Sequence, residues 1–251
     1  TNMDLTTRVS LLLLLLGFLS NHYIGAKQRF LILTIAQKVI LSCIFIGSTE
    51  FLVEGDILLP KNRNTTKCPN KNYSCRCPKS PTSGNVDVPY VLSDKYDDGE
   101  KKTILEAMKG FETATCVRFV PRTAEEAYLS TEPRYGCFSL VGRIGDKQVV
   151  SLQRFGCVQH GIIQHELLHA LGFYHEHTRP AHQDYYIDFY KKDSYNLNTK
   201  YDYSSVMTAF GITPESETLT PIPNPNVPIG QIVGMSDIDI LRVNILYQCQ
   251  N

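Results

Sequence analysis

Apolar residues along the chain recur with two different periods, and each period predicts one kind of element. Spacings of three and four positions predict three helices: Glu100–Thr115, a helix that begins near Val158, and a C-terminal helix from Ser236. Alternating and short continuous apolar runs predict four strands: Val86–Leu92, Val117–Pro121, Gly136–Val141 and Gln148–Leu152.

Each predicted helix is expected to pack through one apolar face. The faces comprise, in chain order, Ile104, Met108 and Phe111; Ile162, Ile163, Leu167, Leu168 and Leu171; and Ile238, Leu241 and Ile245. Asp97 or Asp98 is available to cap the first helix, and Ser236 with Asp239 forms a capping-box pattern for the last. Pro89 suits an edge position for the first strand, because proline cannot donate to a neighbouring strand. The last helix is therefore expected to be structural.

The predicted second helix carries the pattern that points to chemistry. His165 and His169 are four residues apart, so both lie on one helix face, and Glu166 beside the first can reach a metal-bound water. His175 cannot share that helix, because a continued helix would place it on the far side. Gly172 supplies the left-handed conformation that ends a helix and turns the chain back. Three imidazoles would then meet at one ion.

Three histidine ligands leave one coordination position for water, which is the arrangement of a catalytic rather than a structural zinc site. Zinc lowers the pKa of bound water to roughly 7, and Glu166 is placed to accept the proton. The nucleophile would attack a carbonyl that the metal polarises. The alternative, a set of solvated surface side chains, requires Gly172 and His175 to follow the first five residues by chance. We therefore predict one bound Zn²⁺.

Composition limits which binding partners and which cellular compartment we expect for this protein. The 251 residues include 25 Lys and Arg and 25 Asp and Glu, so no net field favours nucleic acid or anionic lipid. Val9–Leu19 is an apolar run of signal-peptide length that follows Arg8. Eight cysteines in an exported chain indicate disulfides. We expect a secreted protein that does not bind nucleic acid and has no stable membrane association.

A second apolar stretch, Phe30–Gly47, is interrupted by Gln37 and Lys38. Its large apolar residues favour insertion into a bilayer by about 5 kcal/mol, and the central lysine with its polar neighbours offsets nearly all of this. A membrane anchor and a mistranslated or mis-spliced segment are both open interpretations of this stretch.

The zinc motif and several further segments resemble the astacin family of secreted zinc endopeptidases, within the metzincins. The pair His175-Glu176 followed by Thr178-Arg179 separates astacins from other metzincins. The resemblance extends from about Leu52 to Cys249 and includes Cys116–Arg122, Gln148–Cys157, Tyr201–Met207 and Ile229–Tyr247. It implies an α+β fold of the zincin type, with a mixed N-terminal sheet, a zinc-site helix and a mostly irregular C-terminal half that ends in a helix. Within the family, Pro221–Pro228 is most similar to fish hatching enzymes, which digest the egg envelope.

The resemblance divides the chain into a signal peptide at 1–22, a pro-segment at 23–63, a cysteine-bearing extension at 64–85 and a catalytic domain at 86–251. It implies the disulfides Cys116–Cys249, Cys137–Cys157 and Cys68–Cys75. Cys43 and Cys77 are then left over. For Cys77, a pairing with Cys68 and a free thiol are both open.

The pro-segment is implied to contain the zymogen switch. Phe51–Ile57 resembles the family's inhibitory stretch, in which Asp56 would occupy the open zinc position. Gly55 would let the backbone come close to the metal. Release would follow cleavage near Arg63, with Lys61 as a rival basic site.

The resemblance also implies roles for residues that surround the zinc ligands. Met207 would form the Met-turn below the imidazoles without ligating zinc, and Glu176 would help to anchor the mature N-terminal region. The strand Gln148–Leu152 would lie beside the cleft as an edge that pairs with an extended peptide. Phe138 and Leu140 either face that groove or belong to the core.

Two departures from the family pattern bear on activity. Astacins continue the Met-turn with a tyrosine that stabilises the oxyanion, whereas this chain reads Met207-Thr208-Ala209-Phe210. The loss of one oxyanion donor costs about 10²- to 10³-fold in turnover. Between Tyr186 and Asp188 the chain is also shorter than the family pattern.

The sequence therefore favours a secreted endopeptidase, made as a zymogen, that cuts peptide bonds of extracellular or egg-envelope proteins. We expect a monomer whose partners are protein or peptide substrates, among them egg-envelope glycoproteins, and storage in secretory granules is compatible with this. The alternative, motivated by the missing tyrosine, is a zinc-binding pseudoenzyme that binds extracellular proteins without cutting them.

Overall fold

The computed structural model describes residues 52–58, 75–178, 197–208, 224 and 226–249. The predicted signal peptide, Phe30–Gly47, Arg63 and Cys68 lie outside the described residues, as does the shortened segment around Tyr186. Within the described ranges, no helix is both long enough and apolar enough to cross a bilayer.

The described residues form seven strands and three α-helices. The strands are β1 (Leu52–Val53), β2 (Ile57–Leu58), β3 (Val86–Leu92), β4 (Val117–Pro121), β5 (Tyr128–Glu132), β6 (Cys137–Ser139) and β7 (Lys147–Leu152). The helices are α1 (Asp98–Ala114), α2 (His160–Ala170) and α3 (Asp237–Leu246), and a 3-10 helix covers Glu176–Thr178.

The seven strands form one mixed sheet in the order β1-β2-β6-β7-β5-β3-β4. Strands β4, β3, β5 and β7 run parallel, whereas β6 runs antiparallel to β7. Buried apolar residues of α1, α2 and the sheet form one core; they include Ile104, Met108, Phe111, Ile163, Leu167, Val86 and Val150. The mixed sheet, the helix that carries the histidines and the C-terminal helix confirm the predicted α+β class.

Most predicted elements are present with small shifts at their ends. Helix α1 begins at Asp98, and Asp97 rather than Asp98 is its cap: its side chain accepts from Glu100 N in a capping box. The capping box of Ser236 and Asp239 at α3 is confirmed. Strand β5 was not predicted because its central Ser130 and Thr131 are polar, although both are buried. Alternation of apolar residues cannot identify such a strand.

The prediction that Pro89 marks an edge strand is wrong, because β3 lies between β4 and β5. Val86 donates its N–H to Cys116 O on the β4 side, so by alternation the nitrogen of Pro89 faces β5. Pairing with β5 begins only at Tyr90. The missing N–H of the proline therefore falls where the strand has no partner on that side.

The predicted apolar face of α3 is also wrong. Leu241 and Ile245 are 48% and 41% exposed, and Ile238 is only partly buried. The buried residues of the helix are instead Asp239, Arg242 and Val243. A carboxylate and a guanidinium thus lie on the inner side of this helix, and two large aliphatic side chains lie on its outer side.

Two predicted disulfides are confirmed: Cys116–Cys249, which joins residues 133 apart, and Cys137–Cys157, which joins residues 20 apart. Cys75 is also disulfide-bonded. The predicted pairing of Cys75 with Cys68 stays a prediction, because Cys68 lies outside the described residues. Cys77 is a free thiol, which excludes its pairing with Cys68. Burial raises the pKa of the Cys77 thiol to about 11.

The orientation of α3 predicts that substitutions on its exposed and buried sides lower the stability of the fold by different amounts. Leu241→Lys should change the free energy of unfolding by less than about 0.5 kcal/mol, because the side chain is half exposed. Val243→Ala should cost about 2 kcal/mol, because Val243 is fully buried and two methyl groups are lost from the core. Denaturant unfolding of both variants checks this. A larger loss for Leu241→Lys than for Val243→Ala would contradict the orientation.

Candidate active site

The end of α2 brings the third histidine back to the first two. Gly172 has a φ of +109°, and the N–H groups of Gly172 and Phe173 donate to the carbonyls of His169 and Leu168, at 2.9 and 3.0 Å. This pair of bonds around a left-handed glycine is a Schellman motif. The chain therefore reverses within a few residues, as the sequence predicted.

The structure places the three histidines around one point. The Nε2 atom of His165 lies 3.0 Å from that of His169 and 3.3 Å from that of His175. All three side chains are at most 1% exposed. Nitrogens that share a tetrahedral zinc at 2.0–2.1 Å are separated by about 3.3 Å. The arrangement thus fits a single zinc ion in size and in donor type.

The outer ring nitrogens show how the imidazoles are oriented. His165 Nδ1 donates to the carbonyl of Val206 at 2.7 Å, and His169 Nδ1 donates to the carbonyl of Phe173 at 2.8 Å. Because a carbonyl can only accept, Nδ1 of each ring carries a proton, and in the neutral form of the ring the lone pair is on Nε2 and faces inward. Two lone pairs that face each other at 3.0 Å require a cation or a proton between them.

The third ring lies between two carboxylates of the β1–β2 hairpin. His175 Nδ1 donates to Glu54 Oε2 at 2.7 Å, and His175 Nε2 lies 3.0 Å from Asp56 Oδ2. Burial lowers the pKa of His175, but Asp56 and Glu54 outweigh it and raise the pKa to about 9. Without a metal this ring therefore holds a second proton, and metal binding would displace that proton.

Asp56 contacts all three imidazoles. Its Oδ2 is 2.9 Å from His165 Nε2, and its Oδ1 is 3.7 Å from His169 Nε2. Burial would raise the pKa of Asp56, but the charge of His175 and the hydrogen bond from its ring lower it well below its ordinary value. Asp56 and the three histidines form one group of potential metal ligands whose donor atoms lie within 4.8 Å of one another.

Glu166 lies next to His165 on α2 and is 1% exposed. Burial and the charge of Asp56 raise the pKa of Glu166 well above its ordinary value. Its Oε2 accepts no hydrogen bond from any described residue, and neither does Asp56 Oδ1. A buried carboxylate oxygen without a donor is costly. Both oxygens are therefore available to contact a group that the described residues do not supply, such as an ion or a reacting water.

Glu54, Gly55 and Asp56 form the turn of the β1–β2 hairpin, and Gly55 has a φ of +96°. A Cβ at Gly55 would meet no atom within 4 Å. The positive φ is therefore a sufficient reason for this glycine, and the predicted close approach of the backbone to the metal stays a prediction. Ile57 pairs in parallel with Ser139 of β6, whose N–H donates to Asp56 O at 2.9 Å.

Without the β1–β2 hairpin, the edge strand on this side of the sheet is β6 and not the predicted strand Gln148–Leu152. The latter belongs to β7, which is paired on both sides, with β5 and β6. In this structure the hairpin covers the free edge of β6. Phe138 and Leu140, which the sequence left open between groove and core, are both buried.

The segment Ser205–Met207, which is the predicted Met-turn, is buried. Met207 is 2% exposed and belongs to the main core cluster, in agreement with a packing role. Its carbonyl accepts from Glu176 N at 2.9 Å. The Glu176 carboxylate accepts from Asp202 N and from both terminal nitrogens of Arg242, at 2.6 to 2.8 Å. The predicted anchoring of the mature N-terminal region by Glu176 stays a prediction, because that region lies outside the described residues.

Sequence reasoning did not identify three groups that contact this site or its loops, namely Glu54, Asp239 and Arg242. Glu54 is 121 residues from His175, and Arg242 is 66 residues from Glu176. Local periodicity carries no signal for such distant pairs.

Comparisons with known proteins agree with this geometry. Residues 79–248 match the family model described as astacin, which is a peptidase family. Low choriolytic enzyme of Oryzias latipes is 51% identical over 273 aligned positions that cover 98% of this chain and all of the relative. High choriolytic enzyme 1 of the same fish is 47% identical and covers 81% of this chain and 80% of the relative.

The solved structure of high choriolytic enzyme 1, described as a hatching enzyme zinc-protease of medaka, superimposes with a TM-score of 0.63. It covers 70% of this chain and 96% of its own. The alignment with low choriolytic enzyme is longer than this chain of 251 residues, so this chain carries gaps relative to it. Because the matched domain covers more than half of the residues, the chain belongs to the astacin family, and it is a zinc metalloendopeptidase with one zinc and with proteins or peptides as substrates.

Proposed function

We propose that the chain is a secreted hatching-type endopeptidase, made as a latent zymogen, that hydrolyses egg-envelope proteins. The observation that carries this proposal is the meeting of three buried imidazoles with the carboxylate of Asp56. The names of the relatives support the substrate class, since they are choriolytic and hatching enzymes. The apolar run Val9–Leu19 supports secretion.

His165, His169 and His175 would hold zinc through Nε2. When bound, zinc lowers the pKa of water and polarises the substrate carbonyl. The carbonyls of Val206 and Phe173 keep the protons of His165 and His169 on Nδ1. The metal-facing nitrogens are therefore available as ligands without a rearrangement of the rings.

Glu166 is the proposed general base. Its unpartnered Oε2 would accept a proton from the attacking water, and the same carboxyl would then donate that proton to the leaving amine. Burial keeps bulk water away from this transfer. The free edge of β6 would bind the backbone of an extended substrate in the place that the hairpin occupies in the latent chain.

Asp56 is the proposed latency group. Its carboxylate lies against all three imidazoles, and Ile57 pairs with the proposed substrate edge. The hairpin would therefore block both the metal and the edge. Cleavage near Arg63 or Lys61 would release it and open both positions together.

Glu166→Gln should separate metal binding from hydrolysis. The variant should retain one zinc per chain, because Glu166 is not a proposed ligand, and its turnover of casein or egg-envelope protein should fall at least about 10²-fold. Glu106→Gln, on the exposed side of α1, is the matched control and should leave both unchanged. Zinc content by atomic emission and the rate of proteolysis check this. Wild-type turnover in Glu166→Gln, or a wild-type chain without zinc, would contradict the proposal.

Asp56→Asn should make the uncleaved chain active. In a background with Lys61 and Arg63 replaced by alanine, we expect hydrolysis about 10- to 100-fold above that of the uncleaved parent, because contacts to a charged group contribute about 1.5–3 kcal/mol. Asp87→Asn, at an exposed position of β3, is the control. Peptide hydrolysis by intact chain is measured, with electrophoresis to exclude cleavage. If the uncleaved variant shows no peptide hydrolysis but is fully active after removal of the pro-segment, Asp56 is not the latency group.

A further inference from the structure

The inner face of α3 carries two charged residues that apolar packing does not require. Asp239 is 2% exposed and Arg242 is 6% exposed, whereas Leu241 on the same helix is 48% exposed. Transfer of a carboxylate and a guanidinium out of water is unfavourable unless each is paired in good geometry. The contacts of these two side chains therefore show what the helix does.

Asp239 contacts the Met-turn. Its Oδ1 accepts from Ser205 Oγ at 2.6 Å, and its Oδ2 accepts from Val206 N at 2.9 Å. Oδ2 also accepts from Ser236 N at 3.1 Å, within the capping box. Val206 is thus held by its N–H on one side, while its carbonyl accepts from His165 Nδ1. One carboxylate thus holds the residue whose carbonyl orients a histidine.

Arg242 contacts the loop that follows the third histidine. Its guanidinium donates from both terminal nitrogens to the Glu176 carboxylate, from Nη2 to Lys200 O at 3.0 Å and from Nε to Thr199 Oγ1 at 2.8 Å. Glu176 is adjacent to His175, and its own N–H donates to Met207 O. Arg242 therefore joins the segment before the Met-turn to the segment after His175.

We infer that Asp239 and Arg242 are positioning residues for the zinc site. Through their polar contacts, α3 holds the loops next to the histidines in place. Aliphatic side chains at the same two positions would fill the volume, but they would not fix the direction of the Val206 carbonyl or of Glu176. The planar fork of arginine matches both oxygens of a carboxylate, which lysine cannot do. These contacts hold two loops, one that orients His165 and one that carries His175.

This inference rests on the proposed zinc set of three histidines. It concerns how firmly the metal is held and how the rings are aimed, and it does not depend on the identity of the substrate. Partners of metal-ligating histidines commonly contribute about 10- to 100-fold to metal affinity. We expect contributions of that size here, although neither residue contacts any of the three rings directly.

The test uses the full chain loaded with zinc. Asp239→Ala should release zinc to a chromophoric chelator about 10- to 100-fold faster than wild type. Asp237→Ala is the matched control: Asp237 also lies in the first turn of α3 but is exposed, and its release rate should equal that of wild type. Asp239→Asn, which retains an acceptor for Val206 N, should recover most of the loss. After cleavage of the pro-segment, kcat should fall in Asp239→Ala while KM stays within about twofold.

Arg242→Lys provides a second, independent variant that keeps the charge. It should also release zinc faster, and the visible spectrum of the cobalt-substituted chain should shift, because the bidentate contact with Glu176 is lost. Equal zinc release and equal cobalt spectra in Arg242→Lys and wild type would overturn the inference, even if Asp239→Ala fails to fold. A wild-type chain that binds no zinc would instead overturn the proposed function, so the two failures are distinguishable.

Discussion

The region around the proposed zinc site depends on one electrostatic constraint, which is that three buried imidazoles present their Nε2 atoms to the same point. The nitrogens of His165 and His169 are 3.0 Å apart, and no water can reach them because both rings are fully buried. Facing lone pairs at this distance are repulsive unless a cation or a proton lies between them. Each ring must consequently be held from outside, by an acceptor at Nδ1, in the orientation that metal binding requires.

The three outer acceptors come from three parts of the chain. Phe173 O is local to α2 and becomes available because the Gly172 bend ends the helix there. Val206 O belongs to the Met-turn, and Glu54 belongs to the β1–β2 hairpin. A loop carbonyl keeps its direction only if the loop itself is fixed by directional contacts. This explains why buried ion pairs and capping contacts, rather than aliphatic packing, are concentrated between α3 and the histidines.

The sequence predicted the histidines, Gly172 and the helix caps because these signals are local: a spacing of four, a glycine after an apolar run, a serine three residues before an acid. It failed where a helix packs against polar loops instead of an apolar layer. For α3, periodicity assigned Leu241 and Ile245 to the interior, although the carboxylate of Asp239 lies there. The resemblance supplied Asp56 but not Glu54, whose partner is 121 residues away. Contacts of this kind require the tertiary structure.

The hairpin concentrates three contacts within four residues of the proposed pro-segment. Glu54 accepts from the outer nitrogen of His175, Asp56 lies against the inner nitrogens, and Ile57 pairs with β6. Because these residues belong to one short hairpin, they would be released together. In the proposed zymogen, activation would therefore change the edge that binds substrate, the open ligand position and the outer partner of one ligand in a single step. The mature site would then rely for ring orientation on Val206, Phe173 and the polar contacts of α3, all of which lie outside the pro-segment.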